Sequence, residues 1–209
     1  MTLFLHVCCA PCLLYPARVL ADRQIPFTCY FFNPNIHPFK EFKKRLDTFV
    51  SLAESRCYPY VLERDYGLRS FLRAVVFQEQ RRCTICYHTR LEKTFQRATA
   101  LEFTAVSTTL LYSRYQRHQE LVNQAERLAK QYHLTFDYHD FRSGWQQGID
   151  ESLSLGLYRQ PYCGCIYSEQ ERYDNRLKKQ IRKKEVSNVL HYRFGHVEQE
   201  QSSRNSTRS

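Results

Sequence analysis

Seven of the nine cysteines in this 209-residue chain fall in three short clusters far apart in sequence, and that spacing constrains the fold more than any other feature. The clusters are Cys8-Cys9 with Cys12, Cys83 with Cys86, and Cys163 with Cys165. The Cys83-Thr84-Ile85-Cys86 spacing presents two thiolates from the end of a turn to one metal centre, and such a pair needs further ligands from elsewhere. Only the other two clusters can supply them, so the fold is expected to gather all three. An odd number of cysteines also argues for metal or redox chemistry over a disulfide framework.

The rest of the chain alternates strand and helix signals. Thr2 to Val7 is a short apolar run that reads as a buried strand, and Pro11 suits the start of a helix reaching about Asp22. Pro26 to Phe32 reads as a second strand, stopped by the rigid turn Asn33-Pro34-Asn35. Phe42, Leu46, Phe49, Val50 and Ala53 then form one helical stripe in a helix from about Pro38. Next come a strand from Tyr58 to Leu62, a helix from Leu68 to Gln78, and a helix from about Thr89 to Thr99. A strand from Phe103 to Tyr112, a helix carrying Leu121, Ala125, Leu128, Ala129 and Tyr132, and a strand from Leu134 to Tyr138 complete the pattern. Such alternation predicts an α/β fold, a mostly parallel sheet with helices on both faces.

Ligands of such sheets bind beyond the carboxyl ends of the strands. Cys8-Cys9, Asn33-Pro34-Asn35, Tyr112-Ser113 and Asp140-Phe141-Arg142 all stand at those predicted ends. The first of these loops has no glycine and no phosphate-binding pattern, so cysteines occupy the place a phosphate loop would take.

The start of the chain lacks a basic segment followed by a long apolar one, and no apolar run approaches the roughly 18 residues of a membrane helix. The expected compartment is the cytoplasm, where thiols stay reduced, with no membrane partner. The formal charge is +10 and the pI about 9.2, which points to a polyanionic partner. Six positive charges lie between Arg176 and Lys184, on Arg176, Lys178, Lys179, Arg182, Lys183 and Lys184, with no acid among them. Either this run contacts nucleic-acid phosphates, adding salt-dependent affinity, or it is a solvated helix face. The chain therefore divides into a domain over residues 1–175 and a basic, then polar, tail over 176–209, whose end from Glu198 is expected to be disordered. Fifteen Tyr and fourteen Phe could stack on bases where exposed, although most should fill the core.

Cys8, Cys9, Cys83 and Cys86 make a four-thiolate set, which suits structural zinc or an iron–sulfur cluster. Adjacent cysteines seldom both reach one tetrahedral ion, which leans toward a cluster with separate irons. The helix N-terminus beside Cys8 and Cys9 should lower a thiol pKa there. Cys163-Gly164-Cys165 either closes a strained, reducible disulfide or adds two metal ligands. Cys12 either ligates a second metal or packs, while Cys29 and Cys57 read as small buried hydrophobes. His6 shares the strand face of Cys8 and either orients a ligand or sits satisfied in the core. His37, in the proline-bounded turn with Asn33, could touch substrate, as could Tyr112 and Arg142 at strand ends. Arg159 could meet a phosphate or the nearby cysteine pair, with ordinary surface charge as its alternative.

Six ordered motifs then stand out. They are His6-x-Cys8-Cys9-Ala10-Pro11-Cys12, Asn33-Pro34-Asn35-Ile36-His37-Pro38, Cys83-x-x-Cys86-Tyr87, Thr108-Thr109-Leu110-Leu111-Tyr112-Ser113, Asp140-Phe141-Arg142, and Tyr158-Arg159-Gln160-x-Tyr162-Cys163-Gly164-Cys165. Together, from about Leu3 to Arg172, they resemble the QueH-type epoxyqueuosine reductases. The resemblance implies an adenine-nucleotide hydrolase-like α/β fold that carries a 4Fe–4S cluster in place of ATP, with an additional iron beside it. It implies reduction of epoxyqueuosine to queuosine at the wobble base of tRNAs with a GUN anticodon, the last step of queuosine synthesis, with an electron donor as second partner. By position it makes Cys8, Cys9, Cys83 and Cys86 the cluster ligands, with Cys12 beside them, and Cys163 and Cys165 a redox pair. The alternative from another class is a zinc-stabilised RNA-binding protein without catalysis.

Overall fold

A computed structural model describes residues 2–175 and 178–179. Its centre is β1 (Leu3–His6), buried along its whole length and paired in parallel with β2 (Phe27–Phe31) on one side and β4 (Ala105–Thr108) on the other. The outer strands are β3 (Tyr60–Leu62) and β5 (Thr135–Phe136), giving a five-stranded, wholly parallel sheet in the order β3-β2-β1-β4-β5. A strand covered on both faces reads as a continuous apolar run, which is why Leu3-Phe4-Leu5 shows no polar alternation.

Side-chain parity on β1 divides the core. Leu3 and Leu5 pack with residues of α1 (Ala10–Asp22) and α2 (Phe39–Ser55), including Leu13, Leu20, Phe42 and Phe49. Phe4 points the other way, toward Leu91 and Phe95 of α4 (Arg82–Ala100) and Leu121, Ala125 and Leu128 of α5 (His118–Tyr132). Helices therefore cover both faces. The remaining helices are α3 (Leu68–Val75) and α6 (Trp145–Ser154), the second with no counterpart in the sequence reading. Its apolar residues are few, and Gly148 within it sits where a Cβ would come within 2.3 Å of the Tyr112 hydroxyl.

Two predicted boundaries move, and both moves bear on the site. Helix α4 begins at Arg82 and not near Thr89, so Cys83 and Cys86 lie in its first turn. The helical period runs straight through the cysteines, with Cys86, Tyr87, Arg90, Leu91, Thr94, Phe95 and Ala98 all buried on one stripe. Strand β4 stops at Thr108, because the Thr108 side chain accepts the Leu110 N–H and opens a 3-10 turn over Thr109–Tyr112. The sequence had read this segment as strand through Tyr112. The chain separates into two compact units, Met1–Cys165 and Ile166–Ser209. In the second unit residues 166–175 are helical, and the basic run and polar end lie outside the described residues apart from Lys178 and Lys179.

Candidate metal centre

The order of the sheet reverses between β1 and β4, and the crevice beyond their carboxyl ends is where a ligand site belongs. Cys8 and Cys9 leave β1 at that point. The Cys8 N–H donates to Thr109 Oγ1 at 3.0 Å, and the Thr109 hydroxyl donates in turn to Cys8 Sγ at 3.3 Å. Cys9 is the N-cap of α1 in extended backbone, and Cys12 follows three residues later in the first turn, on the same side. The sulfurs of Cys8, Cys9 and Cys12 consequently lie within 4.8 Å of one another. Gln160 Nε2 donates to Cys9 Sγ at 2.9 Å and reaches Cys12 Sγ at 3.9 Å.

The three thiols do not titrate alike. Hydrogen bonds from Cys12 and Cys9 hold Cys8 well below the ordinary thiol range, with Arg90 and Thr109 adding to the effect against burial. Burial drives Cys9 up, and Cys12 is raised by its hydrogen bonds to Cys8 and Cys9. The helix terminus was expected to help both adjacent cysteines, yet only Cys8 is lowered, because Cys9 is almost wholly desolvated.

Cys83 and Cys86 reach the same edge on the first turn of α4, one turn apart on one face. They stand outside the tight trio. Burial raises both, Cys86 to about 12, and the charges of Cys163 and Cys165 act on both. Arg90, one turn beyond Cys86, links the two groups. It reaches Cys86 Sγ at 3.8 Å, donates to Asn33 Oδ1 at 2.7 Å, and its charge acts on Cys8 and Cys163. The structure thus gathers Cys8, Cys9 and Cys12 directly, while the charges of Cys163 and Cys165 act on Cys83 and Cys86, and the Arg90 guanidinium acts on Cys86, Cys8 and Cys163.

The segment carrying Cys163 is held from α2. Arg45 donates to the carbonyls of Cys163 at 2.8 Å and Tyr162 at 3.1 Å, while its Nε pairs with Glu41 at 2.6 Å. Tyr158 donates its hydroxyl to the other Glu41 oxygen, Tyr162 donates to the His37 carbonyl, and the His37 N–H donates to Gly164 O at 2.8 Å. Gly164 adopts φ 154°, and a Cβ there would come within 3.0 Å of Asn35 Nδ2, 3.3 Å of Ile36 and 3.4 Å of Arg45. Close approach to the 33–38 turn therefore demands glycine at this position. Cys163 is exposed as a residue, but its sulfur is shielded: burial raises its pKa, opposed by a 3.6 Å contact from Gln116 Nε2 and by Arg90. Cys165 is buried.

The other residues singled out from sequence take various places. Asn33 is buried with its amide engaged at both ends, donating to Val7 O at 2.9 Å and accepting from Arg90. His37 is buried beside Tyr66 and Phe71 with neither ring nitrogen hydrogen-bonded, and burial lowers its pKa to about 4. Tyr112 is buried and donates to Trp145 O at 2.8 Å. Arg142 is half-buried and closes a two-bond fork onto its own motif partner Asp140, at 2.8 and 2.6 Å. Arg159 is exposed. His6 is a satisfied core histidine between Thr108 Oγ1 at 2.9 Å and Phe32 O at 3.1 Å. Cys29 is buried as expected, whereas Cys57 is exposed, since it sits at φ 54° in the turn that ends α2.

Sequence reasoning missed Arg90, the Arg45–Glu41 pair, Gln160 and Thr109. Arg90 was within reach of a pattern argument, because it repeats at i+4 from Cys86. Gln160 lies inside the motif that supplies Arg159, Cys163 and Cys165, next to Arg159 in sequence.

The donor set is sulfur throughout, at a switch point, with a buried cation and no carboxylate among the groups acting most strongly on it. Soft thiolates of this kind suit iron–sulfur clusters or zinc and not hard oxygen-seeking ions. Fold and site together define a parallel α/β protein built around a thiol-lined centre. Residues 3–171 match the family model for Epoxyqueuosine reductase QueH, and the chain belongs to that family. It is 36% identical to Epoxyqueuosine reductase QueH of Dehalococcoides mccartyi, over 82% of this chain and 94% of that one. Its identity to the protein of the same name is 33% for Thermotoga maritima (82% and 92% covered) and 34% for Histophilus somni (79% and 71% covered). A solved structure, the U34-tRNA thiolase NcsA of Methanococcus maripaludis with its [4Fe-4S] cluster, covers 74% of this chain and 66% of its own. Its identity of 13% and TM-score of 0.35 are too low to bear on the site.

Proposed function

We propose that this protein is an oxidoreductase that reduces epoxyqueuosine to queuosine in tRNA. The observation that carries the reading is the family match across residues 3–171, and the clustered sulfurs of Cys8, Cys9 and Cys12 support it. Nothing in the comparisons favours the zinc-stabilised, non-catalytic alternative. Removing the epoxide oxygen takes two electrons and two protons and leaves an alkene and water. Cys8 and Cys9, with Cys83 and Cys86 arriving from α4, would hold a 4Fe–4S cluster, one thiolate to each iron, with Cys12 beside them. When bound, such a cluster supplies electrons one at a time, and an additional iron beside it would supply a Lewis acid for the departing oxygen.

The chain's own residues do the rest. Gln160 and Thr109 orient the sulfurs, and Arg45 fixes the backbone that presents Cys163. Cys163 and Cys165 serve as the redox pair that completes a two-electron change. The wobble base must leave the anticodon stack to reach this crevice. Exposed Tyr115 offers an aromatic surface for a base, while Arg142 and Arg159 offer charge to the backbone. His37, Asn33 and Tyr112 act from behind, as buried supports. The basic run from Arg176 adds contacts to the phosphates, and the reaction runs in the cytoplasm with a separate electron donor. Among the described residues no helix is long and apolar enough to cross a membrane.

Anaerobic reconstitution with iron and sulfide, followed by turnover of epoxyqueuosine-bearing tRNA with a reductant, tests the reading. The expected protein is brown, contains iron and acid-labile sulfide, and forms queuosine. A protein that binds zinc alone and leaves the epoxide intact would restore the RNA-binding alternative.

A further inference from the structure

Among the described residues two arginines are 2% exposed, Arg45 and Arg90. Arg45 has Glu41 as counter-ion. Arg90 has none: Nη2 donates to the neutral amide of Asn33, Nη1 lies 3.8 Å from Cys86 Sγ, and Nε has no hydrogen-bond partner. The groups opposing its desolvation are Cys86, Cys8 and Cys163. A guanidinium taken out of water without an anion costs several kcal/mol. A fold that buries one among thiols implies that the thiols carry the compensating negative charge when the site is loaded. We propose that Arg90 is a fixed counter-charge for the thiolate-bound centre, and that it favours the reduced state of that centre. The proposal rests on the iron–sulfur reading above. Adding an electron adds negative charge, and a buried cation on the same crevice stabilises the product of that step more than the reactant. Arg90 is a positioning residue in this sense, acting through the sulfurs and not on the substrate.

The test compares Arg90→Gln, which removes the charge, with Arg90→Lys, which keeps it, in the iron-loaded protein. Midpoint potentials are read by dye-mediated titration with dithionite, followed by electron paramagnetic resonance. Arg90→Gln should lower the equilibrium constant for one-electron reduction at least tenfold, a fall of 59 mV or more. Arg90→Lys should stay within threefold of the parent. A Gln variant with the parent potential, or a Lys variant shifted as far as the Gln variant, would overturn the proposal in favour of a purely steric role. Where the Gln variant loads poorly, the same question is put to both variants as iron release to a chelator, with folding checked by circular dichroism. Release at least tenfold faster from the Gln than from the Lys variant supports the counter-charge, and equal release rejects it. Parent protein without iron would sink the cluster reading itself, an outcome distinct from an iron-loaded protein indifferent to Arg90→Gln.

Discussion

Arg45 and Arg90 are buried to the same degree and keep opposite chemical company. Arg45, on α2, meets a carboxylate and two peptide carbonyls, so its charge has a counter-ion beside it and its fork holds a loop in place. Arg90, on α4, meets an amide and thiols, so its charge is left to act on the sulfurs. The first region sets where Cys163 stands; the second sets the electrostatics of the centre it faces. Burial by itself does not tell a structural arginine from a functional one. The partner does.

The largest expected effects separate the two regions by chemistry. Cys9→Ser should lose bound iron and activity together, because it opens the trio at its most buried member. Cys163→Ser should keep the iron and abolish turnover, as measured by iron analysis beside product formation. Loss of iron from the Cys163 variant would make it a ligand and erase the division between the regions.

Arg45→Met comes next. It strands Glu41 at 9% exposure, and breaking such a buried pair costs about 3–5 kcal/mol of stability. Denaturant unfolding should show most of that cost returning in the double variant with Glu41→Met, since the orphaned carboxylate is then gone. A double variant no better than Arg45→Met would place the cost in the lost carbonyl bonds. In either variant alkylation of Cys163 should quicken as its backbone loosens.

Gly164→Ala is expected to be milder. The methyl group meets Asn35, Ile36 and Arg45 at 3.0–3.4 Å with the backbone already at φ 154°, so the loop must shift by a few tenths of an ångström. Turnover should fall while iron content holds, and a variant with full activity would show that the loop tolerates that shift. The smallest effect is a pH dependence on the Arg45 side. Burial lowers the His37 pKa from 6.5 to about 4, so between those values the unfolded chain binds a proton that the folded chain does not. Stability therefore falls as pH drops through that window. Unfolding of His37→Phe at pH 7 and pH 5 should show a smaller difference than the parent, and an equal difference would remove His37 from the account.

Much of this was legible beforehand, for identifiable reasons. The alternation of apolar strands with amphipathic helices is local in sequence, and it gave the parallel sheet and the rim on which the cysteines lie. The start of α4 was misplaced because Cys83 and Cys86 were taken as a loop motif, although their spacing also fits the helical stripe through Leu91 and Phe95. The end of β4 was missed because Val and Thr favour strands, while one Thr108 side-chain bond suffices to open a turn. Asn33, His37 and Tyr112 stand at strand ends by sequence, and packing then buries all three, because position along a strand does not say which way the following turn folds.

What the sequence determined by itself was the inventory: three thiol clusters, the strand-to-helix order, and the family. Those follow from covalent spacing and from hydrophobic periods a few residues long. What only the tertiary structure decided was the pairing: Gln160 reaching the trio from the far end of the domain, Asn33 for Arg90, and the carbonyls of Tyr162 and Cys163 for Arg45. Glu41 and Cys86 stand one helical turn from their arginines, whereas these other partners are separated from them by tens of residues along the chain. Only the packing of the sheet's two faces brings them within the few ångströms over which hydrogen bonds and ion pairs act.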